Sequence, residues 1–78
     1  MKVHGHEITQ EMIDACVARM KREPFKTLDI EAVLLQTEFC GDSMRAADRI
    51  IQKFRKGGKI DYGHHVGLRS QWWKWIGE

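Results

Sequence analysis

The chain has 78 residues, 42% of them hydrophobic and 31% charged, and a formal net charge of +2. That length and balance give room for one small soluble domain over residues 1–78 and exclude a disordered chain. No apolar run approaches the roughly 20 residues of a membrane span, and MKVHGHEIT lacks the apolar core of a signal peptide, so a cytoplasmic location is expected.

Residues 1–7 read as a flexible or edge segment. Thr9 is placed to cap a first helix, where its hydroxyl accepts from an otherwise unpaired backbone N–H of the first turn. Ile8 and Ile13 have the spacing of a hydrophobic staple, and Met12, Ile13, Cys16, Val17 and Met20 recur at helical period. The helix should end near Glu23, because Pro24 disfavours helical backbone in the residue before it. Phe25 to Leu28 is extended in character and reads as a short edge strand between helices 1 and 2. Asp29 is the expected cap of a second helix, with Ile30, Val33, Leu34 and Phe39 facing inward. Cys40-Gly41-Asp42 breaks that helix, with Gly41 the natural left-handed C-cap.

Ser43 is the expected cap of the third helix, in which Ala47, Ile50, Ile51 and Phe54 make an apolar stripe. Arg45, Asp48, Arg49, Gln52, Lys53 and Lys56 fall mostly on its other faces, and Gly57-Gly58 ends it. Residues 58–76 then read as a hairpin: a strand at Lys59 to Tyr62, a turn at Gly63 to Gly67, and a return strand from Leu68 to Ile76. In the return strand Leu68, Ser70, Trp72, Lys74 and Ile76 share one side, and Arg69, Gln71, Trp73 and Trp75 the other. Both sides carry tryptophan, so alternation alone does not select the buried one.

The charge is unevenly placed. Residues 1–42 hold five Lys/Arg against eight Asp/Glu, whereas residues 43–60 hold six Lys/Arg against Asp48 alone. A positive band on an acidic body points to a polyanionic partner, against the plainer reading of a solvated helix face.

The segment SMRAADRIIQKFRKGGKI resembles the third helix and first wing strand of winged helix-turn-helix DNA-binding domains. The order helix, short strand, helix, turn, helix, hairpin over roughly residues 8–76 is similar to theirs. The resemblance implies an α+β winged-helix fold of three helices with a C-terminal β-hairpin wing. It implies binding of double-stranded DNA, as a transcriptional regulator or a bacterial or prophage accessory factor. Ser43, Arg45, Arg49, Gln52 and Lys53 of the third helix would face the major groove, where Arg reads guanine and Gln reads adenine. Lys53 and Lys56 would neutralise phosphates, and Lys59, His64, His65 and Arg69 of the wing would approach the backbone or minor groove. Asp48, in the middle of this face, departs from that pattern and would repel phosphate. It would accept from cytosine, pair with Arg45 or Arg49, or mark a face that does not bind DNA.

The alternative is a winged-helix module that docks a protein through its Trp-rich hairpin, with Trp73 and Trp75 as the contact residues. The plainer reading of those indoles is packing against helix 1. A homodimer or protein partner is expected on the DNA reading too, because a single small module covers little DNA. Cys16 and Cys40 are expected as buried free thiols. His4, His6, His64 and His65 lack the knuckle spacing of a zinc site, and His64-His65 reads as a wing tip that gains charge towards pH ~6.5. No catalytic motif is present, so neither an enzyme nor a metal or other cofactor is expected.

Overall fold

A computed structural model of the protein describes residues 2, 3, 5–63 and 72–77. The architecture is α+β, with three helices and two small antiparallel strand pairs. Strands β1 (Lys2–Val3) and β2 (His6–Glu7) form the first pair. Helices α1 (Gln10–Arg22), α2 (Thr27–Leu35) and α3 (Ser43–Lys56) follow, and strands β3 (Ile60–Gly63) and β4 (Trp72–Trp75) form the second pair. No helix among the described residues is long and apolar enough to cross a membrane.

Lys2–Val3 and His6–Glu7 form an edge pair with a defined seat. Gly5 takes φ 81° in its turn, Val3 is buried, and β1 packs on α3. Thr9 caps α1 as its sequence position implies, accepting from the Met12 amide at 3.3 Å. Ile8 and Ile13 are both buried, as a staple requires. Arg19, at the far end of α1, lies within 3.5 Å of Glu23 and 3.6 Å of Asp29, so it ties that end to the first turn of α2 across Pro24.

Three local expectations are corrected. The extended segment narrows to Phe25 and Lys26, with Phe25 alone bridged to Trp73, because Thr27 already begins α2. Asp29 is not the cap of α2 but its third residue, whose carboxylate accepts from the Lys26 amide at 2.7 Å. Gly41 is not a left-handed C-cap, because α2 ends at Leu35 with Gln36 in ordinary helical backbone. Glycine is required at 41 by crowding instead: a Cβ there would lie 2.7 Å from the Phe39 ring and 2.9 Å from His6.

The core joins Phe25, Ile30 and Leu34 to Cys16 and Met20 of α1 and to Ala46, Ala47, Ile50 and Ile51 of α3. The small Ala46-Ala47 pair lets α3 approach α2, its most extensive packing neighbour. Phe25 is fully buried, and its backbone exchanges two hydrogen bonds with Trp73, at 2.8 and 2.9 Å. That bridge lays the α1–α2 link against β4.

The two cysteines differ. Cys16 is buried with its thiol pKa raised to about 11 by desolvation, whereas Cys40 is exposed, contrary to expectation, because it follows α2 rather than packing within it. A thiol reagent should therefore titrate one cysteine in the native protein and two in denaturant, and two rapid native equivalents would contradict this burial. Because the raised native pKa disfavours the Cys16 thiolate, its contribution to stability is complete below pH ~9. It should be lost progressively as pH rises from about 9 to about 11.

Candidate nucleic-acid interface

Helix α3 is built to present one face outward. Asp42 caps it, its carboxylate accepting from the Arg45 amide at 3.1 Å. At its other end the Gly57, Gly58 and Lys59 amides donate to the carbonyls of Lys53, Arg55 and Phe54, and Gly58 at φ 72° turns the chain into β3. Between these ends, the inward residues bury one side of the helix and leave the charged side to solvent.

The exposed face carries Arg45, Arg49, Lys53 and Lys56 in a run along the helix, with Lys59 exposed just beyond it. Arg45 is oriented by Asp42, its Nε 3.7 Å from the carboxylate. Arg49, Lys53 and Lys56 make no salt bridge among the described residues, so their charges remain available to an external anion. Asp48 is exposed beside them. It makes no ion pair with Arg45 or Arg49, so the pairing considered for it does not form.

Two of the expected groove-facing residues are engaged elsewhere. Ser43 is not the cap; it is the first residue of α3, half-buried, with its hydroxyl donating to Glu31 of α2 at 3.1 Å. Gln52 is half-buried, and its side-chain oxygen accepts from Arg55 Nε at 2.7 Å. Arg55 is thus a cation of this region that the sequence pattern did not single out, although its i+3 spacing from Gln52 permitted that contact.

A groove of about 440 Å³ opens along the same face, lined by Val3, Thr27, Met44, Arg45, Asp48 and Arg49. Its walls therefore come from the N-terminal hairpin, the start of α2 and the first half of α3. Val3 and Thr27 had no visible connection to α3 in sequence, because they meet it only through the packing of β1 and α2.

The β3–β4 pair flanks α3. Lys59 supports it with its carbonyl, which accepts from the Ile76 and Gly77 amides at 2.8 and 3.0 Å. Ile60 opposes Trp75 and Tyr62 opposes Trp73, whereas Asp61 opposes Lys74 on the other side. Trp73 and Trp75 are half-buried and pack against the core, so the side on which partner contacts were expected is the inward one. Trp75 stacks at a tilt on Phe54, ring centres 5.6 Å apart, under the Lys21 ammonium at 5.2 Å. Trp72 lies on the opposite side, under the Lys26 ammonium at 4.5 Å. His64, His65 and Arg69, expected at the tip and return of the hairpin, lie outside the described residues, as does His4. Among the described residues no group of three or more His, Cys, Asp or Glu side chains is placed to hold a metal.

Comparison with protein-family models, curated proteins and solved structures gives no match for this chain.

Proposed function

We propose that the protein is a small cytoplasmic winged helix-turn-helix domain that binds double-stranded DNA through the outward face of α3. The observation that carries this reading is the row Arg45, Arg49, Lys53 and Lys56, exposed on a helix whose reverse side is locked into the core by Ala46, Ala47, Ile50 and Ile51. A rigid helix with cations along its free side fits the major groove and its flanking phosphates. The strand arrangement favours the same fold. The bridge from Phe25 to Trp73 adds a third, minimal strand to the β3–β4 pair, and that pair adjoins the end of α3 as a wing would. In the described residues the inward seating of Trp73 and Trp75 weakens the rival reading of a protein-docking module.

On this reading Arg49 and Lys53 enter the groove and neutralise its flanking phosphates, Lys56 and Lys59 neutralise further backbone phosphates, and Arg55 joins them near the helix end. Ser43 serves the α2–α3 contact rather than the groove. A single module of this size covers about 600–1,000 Å² on DNA, so a second copy or a protein partner would supply added specificity in a regulatory or accessory role.

Amide chemical shifts of the labelled protein, followed as a mixed-sequence duplex is added at low salt, test the assignment. The largest changes should run from Arg45 to Lys56 and into Ile60–Gly63. Changes centred on Ala15, Ala18 and Ala32, on the outer sides of α1 and α2, would place any interface elsewhere.

A further inference from the structure

We propose that Asp48 is the specificity-determining residue of this face, accepting a hydrogen bond from the exocyclic amine of a cytosine while holding phosphate away. The inference rests on the DNA-binding reading above and deepens it.

Asp48 is exposed and lines the groove between Val3, Thr27, Met44, Arg45 and Arg49. Its neighbours do not neutralise it. Arg45 pairs with Asp42 at 3.7 Å, and neither it nor Arg49 forms an ion pair with Asp48 among the described residues. The carboxylate is therefore available to whatever enters the groove.

An ionised carboxylate only accepts hydrogen bonds. In the major groove the donors are the N4 amine of cytosine and the N6 amine of adenine. Adenine presents its N7 acceptor beside that amine, which suits a side chain that also donates, such as an amide. Cytosine asks only for an acceptor, so a carboxylate fits it better. Against phosphate the same charge is repulsive. Asp48 thus lowers affinity for DNA in general and recovers it where a cytosine stands opposite. The cations around it supply the sequence-independent attraction that makes this discrimination usable.

Selection from a randomised duplex pool, with the wild type, Asp48→Ala and Asp48→Asn, tests the assignment, and circular dichroism checks that all three fold alike. The wild type should enrich a C·G pair at one position, by roughly 5- to 150-fold, the range one good base contact gives. Asp48→Ala should flatten that preference and bind a fixed mixed-sequence duplex about 3- to 10-fold more tightly, since one repulsive charge near the phosphates is gone. Asp48→Asn should move the preference towards A·T. Identical pools for the wild type and Asp48→Ala, or no gain in mixed-sequence affinity, would overturn the role of Asp48 while leaving DNA binding in place. Absence of duplex binding by all three proteins would overturn the DNA reading and this inference with it.

Discussion

Phe25→Ala is expected to destabilise the protein by about 3–5 kcal/mol, the usual cost of emptying a buried aromatic site. Phe25 is fully buried, and it sits at the junction of the α1–α2 link with β4. The surrounding core includes Met20, Ile30 and Leu34, which belong to two different helices. Such a site collapses poorly, so a cavity remains. A domain this small has a total stability of about 4–12 kcal/mol, which makes the loss a large fraction of the whole. Urea unfolding should show a much lower midpoint with an unchanged slope. Phe25→Leu, which keeps most of the volume, should cost far less, about 1.5 kcal/mol or under. A loss below ~1 kcal/mol for Phe25→Ala would mean that the residue does not occupy the core position described.

The second large effect concerns binding rather than folding. Arg49→Ala combined with Lys53→Ala should weaken the affinity for duplex DNA by roughly 50-fold at about 0.1 M salt. The estimate follows from counterion release, in which each neutralised phosphate contributes about 0.9 to the slope of log affinity against log salt. The double variant should therefore also reduce that slope by about 1.8. Neither residue makes a salt bridge among the described residues, and both are exposed on a helix where alanine is the most favourable occupant. Thermal stability should stay the same or rise slightly. Unchanged affinity with unchanged stability would show that this face does not carry the interaction.

Much of the fold was legible because its signals are local. Thr9 followed by a helical apolar period sets the start of α1, and Gly57-Gly58 after a cationic turn sets the end of α3. The outward row of α3 was legible for the same reason: the apolar period that locates the buried stripe leaves Arg45, Arg49, Lys53 and Lys56 on the remaining faces.

The errors arose where a distant residue decides between two chemically suitable neighbours. Asp42 and Ser43 are both good caps, and Glu31, twelve residues earlier, engages the Ser43 hydroxyl and leaves Asp42 to cap. Gly41 looked like a helix terminator, but its need for glycine comes from Phe39 and from His6 in the N-terminal hairpin. The buried side of the tryptophan strand was undecidable by alternation, because both sides carry indoles. The pairing of Ile60 with Trp75 and the bridge from Phe25 to Trp73 decide it. The candidate site was half visible in the same sense. Its cations lie on one helix, but Val3 and Thr27, which complete the groove, reach it only through tertiary packing.

The most direct test of the central claim is the affinity of the wild-type protein for a mixed-sequence duplex, measured across a series of salt concentrations. An interface built on the cations of α3 predicts clear binding at low salt that weakens steeply as salt rises, with a slope corresponding to several released counterions. No detectable binding at low salt, or an affinity that does not change with salt, would contradict it.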